Sequence, residues 1–544
     1  MPEHFPILSL ILWTPLIGAL ALLLVPRGKG RIIRWIGIGT TFVPLALSAW
    51  AYAAFDLGNG GDQFAERLPW IRFSLNAELL EQLVGAVDEY RVQFDYALAA
   101  DGISLPLVFL TALIAAMAAL ASVHIKQRHK TYFFLFLLLE TGMLGVFMAR
   151  DLFLFFLFFE LTLVPMFFLI GIYGLHEREK AANRFLVYNG IGSAFMLVAF
   201  LILVATAGMN LQGSSFVFTG SYDAIADNIR NPGHVSNAAA FLAQGIANPF
   251  YLTEGHRTLV FFLILIAFGI KLPFFPFHTW MLRVHAEAAP PTVMIHSGVL
   301  LKMGAYGLLK FGVFLFPAEA QRWALLLAIL GVVNILYGAA LAFVQKEFRL
   351  VLAYSSVSHM GIVLIAIASL NAIGVQGAVF QMVSHGLISA LMFLILGSLH
   401  ERTHTTELAK LGGFAKPMPF MSGILLVAGM ASLGLPGLSG FVSEYLSFLA
   451  LFRSMPVLAA VGCLGIILAA AYVLRAVLSI TFGPARGDMP DYKDARLVEA
   501  LPMIALTAFI VLIGVYPAVL GEPLQAAAGG IERWLAGVDG LRGG

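Results

Sequence analysis

The chain has 544 residues, of which only 12% are Asp, Glu, Lys or Arg, about half the ~25% usual for soluble globular domains. Hydrophobic residues make up 60%, and from Phe185 to Tyr222 there are 38 consecutive residues without a single Asp, Glu, Lys or Arg. With a mean hydropathy of +0.88, a water-soluble fold is excluded, and runs of ~20 apolar residues read as membrane-spanning helices. The single cysteine, Cys463, rules out a disulfide or an iron–sulfur ligand set within the chain. A net charge of +2 gives no reason to expect a nucleic-acid partner. The opening MPEHFPILSL lacks a basic region ahead of its apolar run, so no cleavable leader is expected.

Fourteen spans are predicted, at roughly 5–25, 33–55, 101–124, 131–149, 152–173, 185–208, 258–280, 291–316, 323–344, 350–370, 375–399, 419–451, 456–481 and 499–520. They are too long and too uniformly apolar for the ~10-residue alternating strands of a β-barrel. The expected fold class is therefore an all-α polytopic membrane protein. Of the 33 Lys and Arg residues, 19 fall in or beside the odd-numbered loops. Basic loops stay cytoplasmic, so both termini are expected on the outer face. Two outer segments are long: the acidic 56–100 and the Asn-, Gly- and Ser-rich 209–257, both read as extramembrane caps or partner contacts.

Two spans are interrupted. The seventh carries Lys271-Leu-Pro273-Phe-Phe-Pro276 and the twelfth Gly434-Leu-Pro436-Gly437. Freed backbone groups inside a bilayer must line a cavity or be buried in protein. The breaks lie five helices apart, and an odd-numbered repeat inverts topology, the pattern that points to a transporter site. The expected organisation is a three-helix N-terminal unit (1–130), a first five-helix repeat (131–322), a second, inverted five-helix repeat (323–498) and a C-terminal helix with its tail (499–544).

Glu160, Lys271, Lys302 and Glu444 lie deep inside spans. At ~2.5–3.5 kcal/mol each they cost on the order of 10 kcal/mol together, so they must pair, hydrate or titrate. Glu160, flanked by Phe159 and Leu161, is too short to reach the membrane surface. Lys271 sits at the first break, where moving Glu160 towards or away from it would change how tightly Lys271 holds its proton. Glu444 follows the second break and suits a terminal proton acceptor. His278, His359 and His385 fall on three helices and suit a proton relay; His278, seven residues past Lys271, is expected two turns on and on the same face. Glu140, on the fourth span, is a further candidate as a partner or inlet. Lys310 and Arg475, near span ends, read as snorkelling side chains, and Asp151 as an N-cap. His400-Glu401-Arg402-Thr403-His404 matches the HExxH zinc pattern; without a third ligand or a cleft it reads as a chance match, and no metal is expected.

Five segments in order carry a family resemblance: Phe-Phe-Glu160-Leu-Thr-Leu-Val-Pro-Met, Gly-Ile-Lys271-Leu-Pro-Phe-Phe-Pro-Phe-His278-Thr-Trp, Gly-Val-Leu-Leu-Lys302-Met-Gly-Ala-Tyr-Gly, Tyr-Ser-Ser-Val-Ser-His359-Met-Gly, and Gly-Leu-Pro-Gly-Leu-Ser-Gly-Phe-Val-Ser-Glu444. Over nearly its whole length the chain resembles the antiporter-like membrane subunit M (chain 4) of respiratory complex I, the proton-translocating NADH–quinone oxidoreductase. The resemblance implies fourteen helices in two inverted repeats. Glu160 and Lys271 would be the coupling pair, Lys302 the central lysine, Glu444 the terminal acid, and His278, His359 and His385 linking residues. The related subunits L and N usually carry Lys at the terminal position, so Glu444 favours subunit M. The resemblance also implies no redox centre in this chain, with FMN, iron–sulfur clusters and quinone in other subunits. Neighbours would be L-like and N-like subunits in a bacterial inner membrane. Two departures stand out: Met281-Leu-Arg283-Val-His285 replaces the family's frequent Leu-Pro-Asp-Ala-His, and His296 occupies a usually apolar stretch. The competing assignments are a subunit of a multi-subunit cation/proton antiporter or of a membrane-bound hydrogenase, and a structural scaffold.

Overall fold

The computed structural model describes residues 5–74, 89–122, 125–212, 215–237, 240–241, 246–248, 250–485, 492–525 and 527–529. Twelve helices among them are long and apolar enough to cross a membrane. They are α1 (Ile7–Leu24), α2 (Gly30–Ala53), α3 (Ser104–Ala121), α4 (His129–Met148), α5 (Leu152–Tyr173) and α6 (Arg178–Ala205), then α10 (Pro290–Val313), α11 (Pro317–Val344), α12 (Phe348–Ala368), α13 (Ala372–Thr403), α16 (Pro456–Thr481) and α17 (Leu497–Val515). Between these two sets the outer helix α7 (Tyr222–Arg230) precedes α8 (Glu254–Lys271) and α9 (Thr279–Glu287). The remaining pair is α14 (Pro419–Ser432) and α15 (Ser439–Ser454).

Twelve of the fourteen predicted spans are thus whole helices, and the two predicted to be interrupted are each a pair of shorter ones. The predicted seventh span is α8 and α9, parted at 272–278, and the twelfth is α14 and α15, parted at 433–438. Pro273 and Pro276 lack the N–H that would continue the first ladder. At the second break Gly434 and Gly437 hold φ of +76° and +90°, a region that favours glycine.

The all-α expectation is corrected. The two long segments, 56–100 and 209–257, share a four-stranded sheet of order β1-β2-β4-β3, in which β1 (Gln63–Ser74) and β2 (Glu89–Ala100) are antiparallel and β2 and β4 (Ser215–Thr219) parallel. The last strand, β3 (Met209–Gln212), is antiparallel to β4. The run Tyr90-Arg-Val-Gln-Phe94 alternates apolar and polar residues, the pattern of a strand with one covered face.

Local chemistry fixes the helix starts. Asp151 caps α5 by accepting from the Phe153 and Leu154 N–H groups at 2.9 and 3.3 Å, the role its position predicts, and it also accepts from the Asp95 N–H of β2. Asn371 caps α13 through the Gly374 N–H at 2.9 Å. α11 and α12 touch backbone to backbone: a Cβ on Gly361 would lie 2.6 Å from the Gly331 carbonyl oxygen, and one on Gly338 2.6 Å from the Ser358 nitrogen. Small residues at such crossings are how helices associate where no hydrophobic force drives them together.

A charge cluster ties the outer segments to the bundle. Lys310 bonds Asp101, which lies 3.4 Å from Arg150, and Arg150 in turn donates to both Asp62 oxygens at 2.7 and 2.8 Å. Tyr222 donates to the Lys310 carbonyl at 3.0 Å. The snorkelling assignment of Lys310 is therefore corrected, because its ammonium is buried and paired. Arg475 does reach the edge, where it donates to the Gln345 carbonyl at 2.9 Å and lies over Phe343. Removing one partner of a buried pair leaves an uncompensated charge. Lys310→Met should therefore destabilise the protein by about 3 kcal/mol, read as a lower thermal unfolding midpoint in detergent, and adding Asp101→Asn should restore part of the loss; an unchanged midpoint in the single variant would show the cluster contributes nothing.

Candidate functional site

Lys271 is the last residue of α8, where the broken ladder opens the helix. Its side chain is buried, and among the described residues its Nζ has no hydrogen-bond partner. It lies 4.9 Å from the Phe159 ring centre and 5.5 Å from that of Phe185. Glu160 adjoins Phe159 on α5; its Oε1 is also buried without a partner, and its charge acts on Lys271 across the gap. The two groups thus attract without touching, an arrangement in which a small displacement changes the interaction strongly.

Lys302, fully buried on α10, bends back so that its Nζ donates to the Ser297 carbonyl and meets His385 Nδ1 at 2.8 Å. A five-residue π-helical turn, His296–Leu300, precedes it; such bulges are frequent at functional sites. The His385 ring lies 5.4 Å from that of His359. His359 Nδ1 is 3.0 Å from Gln381 Nε2 and 3.7 Å from Glu444 Oε1, and its Nε2 is 3.4 Å from the Ser432 hydroxyl. Lys302, His385, His359 and Glu444, placed by α10, α13, α12 and α15, form one continuous row.

A cavity of about 20 Å³ runs along this row, lined by His359, His385, Glu444, Gln381, Ser384 and Ser432 among others. That is room for one water molecule, and the lining offers the polar partners a water needs. The second break serves the row directly. A Cβ on Gly434 would stand 2.7 Å from Glu444 Oε2, so the bare glycine lets the backbone pass the carboxylate.

Besides Glu160 and Lys271, two sequence candidates lie outside the row. His278 follows the first break, so the shared helical face with Lys271 is corrected: the ladder ends at Lys271 and resumes at Thr279. Among the described residues neither His278 nitrogen has a hydrogen-bond partner, and the ring packs on Phe275 and Tyr337. Glu140 is fully buried on α4 with both oxygens unpartnered among the described residues.

The two histidines of the HExxH string do not share one helix. His404 lies past the end of α13 at φ 54°, so it shares no helical face with His400, and Glu401 pairs with Arg496 at 3.1 Å. Among the described residues no three His, Cys, Asp or Glu side chains are placed to hold a metal ion.

Gln381, Ser384 and Ser432 were not singled out by sequence; polar side chains recurring beside His359 and His385 in apolar helices were the available signal. His285, the histidine that ends the family motif, and His296, visible in the sequence only as a departure, form a buried pair with His285 Nε2 3.0 Å from His296 Nδ1.

Broken helices around a buried Glu–Lys–His row define a membrane protein of the antiporter-like class. Residues 149–469 match the family model "NADH:quinone oxidoreductase/Mrp antiporter, TM", and residues 79–149 match "NADH-ubiquinone oxidoreductase chain 4, amino terminus". The chain is 36% identical over 551 residues to NAD(P)H-quinone oxidoreductase chain 4 2 of Thermosynechococcus vestitus, covering 99% of this chain and 94% of the relative. It is similar to a chain of respiratory complex I from Thermus thermophilus, with a TM-score of 0.79, 27% identity and coverage of 97% and 99%. It is also similar to a chain of an archaeal membrane-bound sulfane sulfur reductase, with a TM-score of 0.77, 28% identity and coverage of 95% and 77%. The chain belongs to the chain 4 (subunit M) family of antiporter-like membrane subunits of respiratory complex I.

Gly434→Ala combines a left-handed backbone with a clash against Glu444. It should cost about 1–2 kcal/mol from the backbone alone, seen as a lower unfolding midpoint, whereas Glu444→Gln, which keeps the shape, should leave the midpoint within a degree or two of the parent.

Proposed function

We propose that this chain is a proton-translocating membrane-arm subunit of an NAD(P)H–quinone oxidoreductase, in which quinone reduction in other subunits drives protons through Glu160, Lys271, Lys302, His385, His359 and Glu444. The row from Lys302 to Glu444 carries this reading. Consecutive members lie within hydrogen-bond distance or a ring's width of one another, beside a water-sized cavity. A scaffold gains nothing from burying these groups, each of which costs ~2.5–3.5 kcal/mol in the membrane.

In the proposed cycle a signal from the redox part of the complex displaces Glu160 relative to Lys271. With Glu160 near, Lys271 is held as an ammonium. With Glu160 away, an ammonium without a counter-charge in an apolar pocket gives up its proton. That proton passes to Lys302, moves by way of His385 and His359, and reaches Glu444 for release. His278 and Glu140 serve as lateral or inlet sites in this scheme. Electron transfer takes place outside this chain, in subunits that carry FMN, iron–sulfur clusters and quinone, and the flanking membrane partners are L-like and N-like subunits.

The two breaks, five helices apart, support a pair of inverted five-helix repeats at 131–322 and 323–498. The basic odd-numbered loops support both termini on the outer face of a bacterial inner membrane. The likeness to a chain of the sulfane sulfur reductase supports one second reading, a place in an antiporter or a hydrogenase-like complex using the same charges with a different electron-transfer partner.

Purification of the tagged chain from native membranes in mild detergent separates the two: NADH-driven quinone reduction should copurify, while its absence together with restored sodium tolerance in an antiporter-deficient host supports the second. In sealed vesicles, Glu160→Gln and Lys271→Met should each lower NADH-driven proton pumping at least tenfold at equal amounts of assembled complex, and undiminished pumping in Glu160→Gln would sink the mechanism.

A further inference from the structure

The row begins at Lys302, yet Lys271 makes no hydrogen bond towards it among the described residues. The intervening space holds two fully buried histidines, His285 on α9 and His296 at the start of the π-helical turn in α10. Their rings stand at 90° with centres 5.1 Å apart, and His285 Nε2 is 3.0 Å from His296 Nδ1. The other nitrogen of each, His285 Nδ1 and His296 Nε2, is buried without a partner among the described residues. A neutral imidazole has one donor and one acceptor, so a packing role leaves half of each ring's hydrogen-bonding capacity unused at considerable cost.

The pair reaches both ends of the gap. His296 packs on Phe185 at 6.1 Å between centres, and Lys271 Nζ lies 5.5 Å from that same ring. Trp280, which donates to the Ile270 carbonyl, closes another side of His296 at 5.4 Å. Ser297, the residue after His296, supplies the carbonyl that holds Lys302. His285 packs at 5.1 Å on Phe393, which lines the same cavity as His385 and Glu444. The charged groups facing the pair are Lys271, Lys302 and Arg349. Arg349 is itself fixed by donating to the Ala286 and Ala288 carbonyls at 3.0 and 3.2 Å.

From this geometry we infer that the His285–His296 pair is the relay joining Lys271 to Lys302, with His296 as the member specific to this protein. The inference rests on the proton-pumping reading above. A proton leaving the Lys271 ammonium adds to one outer imidazole nitrogen. The proton on the inner nitrogen of that ring crosses the 3.0 Å bond, and the proton on the far outer nitrogen leaves to neutral Lys302. One proton enters and one leaves, both rings end in the opposite tautomer, and ring rotation resets them. The steps between the outer nitrogens and the two lysines call for bridging water.

The test uses the whole complex in sealed vesicles, compared at equal amounts of assembled complex. His296→Leu keeps an apolar side chain of similar size in a cage built by Phe185 and Trp280. If His296 only packs, this variant pumps at the parent rate. If it relays, NADH-driven pumping falls at least fivefold and the remaining flux shows a larger solvent deuterium isotope effect. His285→Gln should show the same loss, and the double variant should be no worse than either single one. Should His296→Leu fail to assemble, His296→Gln and His285→Gln decide: loss of pumping in both upholds the relay, and parent-level pumping in either overturns it. Glu160→Gln in the same vesicles separates the two levels. If Glu160→Gln loses pumping while His296→Leu keeps it, only the relay falls; if Glu160→Gln also pumps at the parent rate, the proton-pumping mechanism itself falls.

Discussion

The dominant constraint on this molecule is the cost of holding charge in a medium that cannot solvate it. Backbone groups meet that constraint by folding into helices. Side chains meet it in two ways, and the contrast separates structure from function. Beside the sheet Lys310, Asp101, Arg150 and Asp62 neutralise one another at contact distance and join the sheet-bearing segments to the bundle. Deeper in the bundle Lys271 and Glu160 are left without hydrogen bonds among the described residues, and Lys302 meets a carbonyl and an imidazole but no carboxylate. The first arrangement is settled. The second leaves these charges without a contact ion pair, and it is there that the proposed proton path runs.

The helix breaks follow from the same need. A continuous helix presents Lys271 and Glu444 to a closed wall of side chains. Interrupting it after Lys271 and again before Glu444 brings irregular backbone and small residues beside these two buried groups. Gly434 shows the economy of the device: one residue supplies both the left-handed turn and the space that Glu444 occupies. The π-helical turn before Lys302 does similar work without ending the helix, since it lets Lys302 bond the carbonyl of Ser297.

Much of the site was legible because a charge in an apolar span is rare enough to be conspicuous. Glu160, Lys271, Lys302 and Glu444 could be read off the chain, and Asp151 was recognisable as a cap from its place before an apolar run. What failed was geometry that periodicity does not carry. His278 was placed on the face of Lys271 by counting turns across a segment that is not helical. Lys310 looked like a snorkelling side chain because its partner Asp101 lies 209 residues away in sequence. The outer sheet pairs β2 with β4, strands more than a hundred residues apart, so neither long segment alone revealed its partner. His296 registered only as an oddity and His285 only as the histidine that ends a motif, since nothing in the chain states that the two rings come within hydrogen-bond distance.

The central claim is that protons cross this subunit along the row that starts at Lys302, and that residue tests it most directly. The measurement is the proton flux per NADH oxidised by the whole complex in sealed vesicles, for Lys302→Met against the parent. The account predicts that the assembled variant loses at least tenfold in coupled pumping, because His385 is left with no proton donor at 2.8 Å. An assembled Lys302→Met complex that pumps with the parent's rate and stoichiometry would contradict it.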